Sequence, residues 1–246
     1  MDVCVATTTF YRSAHDLRFQ LAVKTLIALW HEGIPVVVVD GSPNNEVKSI
    51  LERTGAIVVS EEPGTMGAGR RQALREASAA RTDRVVLWME PEKYPLVPFI
   101  NEICGPLLSD EADIVVPRRA DDLASYPETQ RLAEQLGNAI FTAVAGLALD
   151  VWMGPRAINA RGLKHFLQYT GEPYGDKWQS IFMPLLTAAR DGLRLTEVVV
   201  DYVHPPEQTQ AENTDLNLSI VKRLEQLHEL GNALVQQAQA LRLSAT

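Results

Sequence analysis

Four consecutive valines, Val36 to Val39, run into Asp40, Gly41 and Ser42. A segment apolar at every position has no polar face to offer to water. A strand there is covered on both sides, which is the situation of a parallel sheet roofed by crossover helices. The N-terminal half repeats this arrangement. The segments "VCVATTT", "AIVVS" and "RVVLWM" read as strands, and "HDLRFQLAVKTLIALWHEG", "NNEVKSILERTG" and "GAGRRQALREASAA" as the helices between them, giving βαβαβαβ. Then follow a strand at "DIVVP", a helix from about Tyr126 to Leu149, a helix at "KWQSIFMPLLTAARDG", a strand in "LRLTEVVVDYVHPP" and one long helix from Asp215. The expected fold is α/β, a mostly parallel central sheet with helices on both faces, in one domain over 1–206 with a C-terminal helical extension over 207–246.

Composition narrows the function classes. A formal net charge of −8 argues against a phosphate-tracking nucleic-acid surface. Cys4 and Cys104, the two cysteines, have no metal-ligand spacing and read as reduced thiols. The start "MDVCVATTTF" lacks a basic segment followed by an apolar core, so a cytoplasmic location is expected. The longest apolar stretch, "IFTAVAGLAL", falls short of the roughly 20 residues a transmembrane helix needs.

In open α/β sheets ligands bind beyond the carboxyl ends of the strands. Asp40, Gly41 and Ser42 follow the second strand there, and the Asp40 carboxylate can meet a base N–H or a ribose hydroxyl. After the third strand comes "GTMGAGRRQALREA". Its position and the glutamine at 72 exclude a dinucleotide fingerprint. Yet Arg70 and Arg71 sit in a helix's first turn beside Gly67, where basic residues are disfavoured by about 0.3 to 1 kcal/mol. An anion between them would remove the conflict. After the fourth strand, Glu90 and Glu92 flank Pro91. Two carboxylates around a stiff residue suit a hard divalent cation that also takes substrate phosphate oxygens, and His204 offers an imidazole at the end of the last strand. Asp176, in "YGDKWQ", is either an acceptor-side base or the N-cap of a helix beginning at Lys177.

Taken in order, these positions resemble the A-type, family-two-like glycosyltransferases, whose nucleotide-diphospho-sugar transferase fold is Rossmann-like, over roughly residues 1 to 206. The resemblance implies that Asp40, Gly41, Ser42, Gly67, Arg70 and Arg71 bind a nucleotide diphosphate sugar. It implies that Glu90, Glu92 and His204 hold Mg²⁺ or Mn²⁺, and that Asp176 is catalytic. The implied reaction moves a sugar to a hydroxyl of a small-molecule or lipid-linked acceptor. Family members usually carry aspartate where Glu90 and Glu92 stand, and this departure supports an alternative, a nucleotide-sugar-binding protein without catalysis. A sugar nucleotidyltransferase would need a glycine-rich loop after the first strand, where "TTTFYRSAHD" has none.

Ile220, Leu224, Leu227, Gly231, Leu234, Ala238 and Leu241 recur at intervals of four and three. That is a heptad seam, with Lys222, Arg223, Glu225 and Glu229 on the opposite face. The seam either lies back on its own domain or pairs with a second copy, and a homodimer is the expected assembly.

Overall fold

The structure, a computed structural model, describes residues 2–80, 84–214 and 216–243. Its strands are β1 (Val3–Thr9), β2 (Val36–Asp40), β3 (Ile57–Ser60), β4 (Val85–Trp88), β5 (Ile114–Arg119), β6 (Arg156–Asn159) and β7 (Leu195–Val200). Its α-helices are α1 (Leu17–His31), α2 (Asn45–Arg53), α3 (Met66–Ala80), α4 (Ile100–Leu108), α5 (Glu128–Ala145), α6 (Ala160–Gln168), α7 (Gln179–Arg190), α8 (Pro206–Thr214) and α9 (Leu216–Leu243). Local chemistry sets several boundaries. The Asp16 carboxylate accepts the Arg18 N–H at the start of α1, and Asn44 accepts that of Glu46 at the start of α2.

One seven-stranded sheet runs in the order β3-β2-β1-β4-β6-β5-β7. All its pairs are parallel except those of β6, which lies antiparallel between β4 and β5. Alternate residues along each strand feed two cores. Val3, Val5, Val36, Val38, Val85 and Leu87 pack under α1, α2 and α4. Cys4, Ala6, Val37, Val39, Val86 and Trp88 pack under α3, α6, α7 and α9. The fully apolar valine run is therefore covered on both faces.

Strand β6 and helices α6 and α8 are not among the elements read from the sequence. Strand β6 runs from Arg156 to Asn159, which also caps α6, and its four residues are too few for a period to register. It places Arg156 beside Trp88, at the ligand end of the sheet. Helix α8 buries none of its residues, so no apolar period announces it, and its Glu207 pairs with Lys24 on α1 at 3.0 Å.

Helix α9 packs along α5, and its buried face overlaps the expected seam only in part: Leu234 is buried and Leu227, Gly231 and Ala238 are half-buried. Ser219, Arg223, Gln226, Leu230, Ala233, Leu234 and Gln237 are buried, whereas Ile220 and Leu224 stay exposed; the side chain of Leu241 lies outside the described residues. Leu230, Ala233 and Leu234 join the core beneath the helix, and polar partners hold the rest of that face. Tyr174 donates to Gln237 at 2.7 Å, and Arg223 donates to Gln226 at 2.9 Å and to Gln130 on α5. Arg223, assigned from periodicity to the solvated face, is thus an interior residue. Among the described residues no helix is long and apolar enough to cross a membrane.

Candidate active site

The Asp40 turn closes on itself at the end of β2. Asp40 Oδ1 accepts from the hydroxyls of Thr9, at 2.7 Å, and Ser42, at 2.6 Å, and from the Ser42 N–H at 3.2 Å. Ser42 Oγ also accepts the Tyr11 N–H at 2.9 Å, which ties the turn to the end of β1. A residue the sequence reading passed over completes this corner. The Glu61 carboxylate lies against Gly41 on one side and Gly69 on the other, so a Cβ at either glycine would overlap it. Burial and the charge of Asp40 raise the Glu61 pKa above the ordinary glutamate value. Its position directly after β3 was a signal available in the sequence. Gln72, at the third-glycine position of the dinucleotide pattern, braces this loop by donating to the Ser60 carbonyl and accepting from the Glu62 N–H, both at 2.9 Å.

The paired arginines at the start of α3 diverge. Arg71 forms a two-pronged ion pair with Asp176, at 2.6 and 2.8 Å. The Thr65 hydroxyl also donates to Asp176, and the Gly67 N–H donates to its carbonyl at 2.8 Å. Although burial opposes it, the hydrogen bonds from Arg71 and Thr65 hold the Asp176 pKa below the ordinary range. The anion that meets Arg71 is therefore a side chain of the same chain, clasping the loop before α7 to the start of α3. Asp176 does not cap α7, which begins at Gln179 with Trp178 in the cap position. Arg70 points the other way, into the interior. Its Nη1 donates to the Lys177 carbonyl at 2.6 Å and the Ser180 hydroxyl at 2.9 Å, and its guanidinium lies 5.6 Å from the Trp88 ring.

The carboxylates after β4 also part. Glu92 is buried and engaged: Tyr11 donates to it at 2.9 Å and Arg18 pairs with it at 2.6 Å. Glu90 faces a cavity of about 290 Å³ together with Arg70, Lys93, Gly154, Tyr202 and Lys222. Its Oε2 is sealed from solvent with no hydrogen-bond partner. Arg156, completely buried under the same floor, donates to the carbonyls of Pro155, at 2.6 Å, and Val151. Burial pulls Arg70 and Arg156 each down to about 10, opposed in both by the charge of Glu90.

His204 lies across the cavity, its ring 4.2 Å from that of Tyr126 and its Nδ1 2.8 Å from the Thr209 hydroxyl. Burial first, then the charges of Lys93, Arg223, Arg119 and Lys222, push its imidazole down to about 3. Glu90, Glu92 and His204 line the same cavity, but among the described residues no three of His, Cys, Asp and Glu gather as a metal-holding group. The sealed oxygen of Glu90 suits one bond to a hard cation, whereas Glu92 is committed to Arg18 and Tyr11.

The His204 environment sets a pH dependence. The unfolded chain takes up a proton near pH 6.5 that the native imidazole holds only near 3, so stability is complete above 6.5 and falls as pH drops through that window. Between pH 6.5 and 4 the expected loss from this group is on the order of 3 kcal/mol. Denaturant titrations at the two pH values check it, with His204→Gln expected to lose much less.

A ladder of buried polar groups fixes the far wall. Arg119 donates to both oxygens of Asp150, at 2.8 and 2.6 Å, and to Glu134 at 2.6 Å. Gln130 continues it from Glu134 to Arg223 on α9. Helix α9 is thereby a wall of the site.

No family model and no curated protein matches the sequence. Solved structures do match. Glucosyl-3-phosphoglycerate synthase from Mycobacterium tuberculosis, in complex with Mn²⁺, uridine diphosphate and phosphoglyceric acid, aligns at TM-score 0.56 and 16% identity, covering 93% of this chain and 78% of that one. The same enzyme with phosphoglyceric acid aligns at TM-score 0.57 and 17% identity over 90% and 79% of the two chains. With Mg²⁺ and uridine diphosphate the values are 0.55 and 17%, over 93% and 79%. At such identities the likeness speaks for the architecture: this chain has the fold of the A-type nucleotide-diphospho-sugar glycosyltransferases.

Proposed function

We propose that this protein transfers a glycosyl group from a nucleotide diphosphate sugar to a hydroxyl of a small-molecule acceptor. The observation that carries the reading is Glu90, a carboxylate at the ligand end of β4 with a sealed, unpartnered oxygen, facing a cavity beside Arg70 and Lys93. The fold supports it, since its solved examples include an enzyme crystallised with uridine diphosphate, Mn²⁺ and phosphoglyceric acid.

In this reading Asp40, Gly41 and Ser42, with Glu61 behind them, receive the nucleoside, and Gly67 shapes the adjoining start of α3. Arg70 faces the diphosphate. Glu90 would hold Mg²⁺ or Mn²⁺, ions that take one or two protein carboxylates together with phosphate oxygens. Such an ion supplies positive charge to a departing diphosphate. Glu92, held by Tyr11 and Arg18, keeps the β4 loop in place. Asp176 and Arg71 act as positioning residues, tying the loop before α7 to α3. In the reaction the anomeric C–O bond breaks with its electron pair passing to the diphosphate. The acceptor oxygen bonds to the anomeric carbon, and its proton passes to water.

A second reading, nucleotide-sugar binding without turnover, is favoured by the commitment of Glu92 to Arg18 and of His204 to Thr209. One experiment separates the two. In a thermal-shift panel of nucleotide sugars with and without Mg²⁺ or Mn²⁺, a ligand at 100 times its dissociation constant is expected to stabilise by about 2.7 kcal/mol. Release of nucleoside diphosphate from the stabilising donor then identifies an enzyme. Stabilisation without release in the presence of varied acceptors supports the binder, and no stabilisation by any donor overturns both.

A further inference from the structure

The charges around Glu90 do not balance. The other carboxylates of the cavity wall each have a cation at ion-pair distance: Glu92 pairs with Arg18, Glu212 with Arg223, and Glu134 with Arg119, which it shares with Asp150. Glu90 meets three cations through space rather than by a hydrogen bond, Arg70, Arg156 and Lys93; Asp176, already paired with Arg71, also reaches Arg70, and Asp150, already paired with Arg119, also reaches Arg156. Arg156 is completely buried beneath the floor and spends its Nη atoms on backbone carbonyls. Arg70, only 8% exposed, keeps a buried Nε with no partner. The Nζ of Lys93 lies 5.2 Å from the Tyr202 ring centroid, on the cavity side of the loop that follows Glu90. The Tyr126 hydroxyl nearby is likewise buried without a hydrogen-bond partner.

Buried charge is ordinarily paired or neutralised. An excess of positive charge facing a cavity is what an anionic ligand would complete, and a diphosphate diester brings one negative charge on each phosphate. We propose that Lys93, together with Arg70, clamps the donor's diphosphate directly, so that the nucleotide binds through side-chain cations even before a divalent ion joins it at Glu90. This rests on the nucleotide-sugar reading above and adds a residue that neither the sequence motifs nor the resemblance single out. The two cations differ in kind. Arg70 is fixed by the Lys177 carbonyl and the Ser180 hydroxyl, whereas Lys93 is a single charge on a flexible stem. Lys93 is therefore the group able to follow the diphosphate as it gains charge on leaving, an interaction stronger in the transition state than in the ground state.

The test is calorimetric and uses the full chain. Uridine and guanosine diphosphates, their nucleosides and inorganic phosphate are titrated in excess chelator and again with Mg²⁺. The wild-type protein is expected to bind one diphosphate in chelator, and Lys93→Met to weaken that binding about tenfold or more while leaving the nucleoside unchanged. Lys93→Arg, which keeps the charge, is expected to restore most of the affinity, and melting temperatures confirm that both variants fold. The proposal is overturned if the wild-type protein binds a diphosphate only with Mg²⁺. It is equally overturned if Lys93→Met leaves chelator-phase affinity intact, if it weakens nucleoside and diphosphate alike, or if inorganic phosphate responds to the substitution while the nucleotide does not. Failure of every nucleotide to bind, with or without metal, instead marks failure of the parent reading.

Discussion

Arg119→Met lowers the unfolding free energy by about 3 to 5 kcal/mol, the cost of leaving buried partners without their opposite charge. Arg119 is 3% exposed, and its guanidinium supplies three hydrogen bonds to two carboxylates that are themselves buried, Asp150 and Glu134. Asn138 also donates to Asp150 at 2.8 Å, and Gln130 to Glu134 at 2.6 Å, but neither brings charge. For a chain of this size each kcal/mol moves the melting temperature by about 2 to 4 °C, so a fall of roughly 10 °C is expected. Arg118 provides the comparison. It is the adjacent residue, its side chain is 60% exposed, and it reaches Glu197 only at 3.7 Å, so Arg118→Met is expected to change stability by less than about 0.5 kcal/mol. The pH dependence carries a sign. Despite burial, Arg119 holds the Asp150 pKa below the ordinary value. That stabilisation is present above the unfolded carboxylate pKa near 4 and is lost as pH falls through the depressed native value. The gap between wild type and Arg119→Met in urea titrations should therefore narrow below about pH 4. Equal stability of the two proteins at pH 7 would exclude a structural role for the ladder.

If the protein transfers a sugar as proposed, Gly154→Ala is expected to reduce kcat/KM for that transfer by about 100-fold, because misplacing a reacting or charge-bearing group by an ångström has effects of that order. Gly154 has φ of +98° and lies directly on the Glu90 carboxylate, where a Cβ would overlap both oxygens. A side chain there strains the backbone and pushes aside the carboxylate of Glu90, a residue that lines the cavity. The strain alone costs about 1 to 3 kcal/mol. Gly146→Ala separates the two effects, since Gly146 has φ of +66° with open space where the methyl group would stand. It is expected to lose stability and keep its rate. If Gly154→Ala turns over like Gly146→Ala, Glu90 has no part in the chemistry.

The sheet and its two faces were legible because they rest on local rules. An all-valine strand has no exposed face in any context, and period-2 alternation sends Val36 and Val38 to one core and Val37 and Val39 to the other whatever else the chain does. The strand-end rule likewise located Asp40, Arg70 and Glu90 at one edge of the sheet. It applied equally to Glu61, whose position after β3 was visible while its placement between Gly41 and Gly69 was not.

Where the charges pair is another matter, because partners far apart in sequence meet only through topology. Residue type and spacing put Arg70 with Arg71 and Glu90 with Glu92, yet each pair divides. Arg71 goes to Asp176 and Glu92 to Arg18 and Tyr11, leaving Arg70 and Glu90 to face the cavity. Arg156 shows the same limit, since a four-residue strand inserted antiparallel beside β4 is what buries it under that floor. Helix α9 shows it most fully. Apolar periodicity identified a long amphipathic helix, but burial on α5 follows Arg223, Gln226 and Gln237, whose hydrogen-bond partners include residues on other elements. The strands, their two-sided burial and the edge where chemistry collects could all be read from the order of residues, since they follow from each residue's own preference for water or apolar surroundings. Which charges are neutralised and which remain facing the cavity emerged with the folded arrangement alone, because Coulomb and hydrogen-bond energies depend on distances of a few ångströms between residues that the chain order leaves far apart.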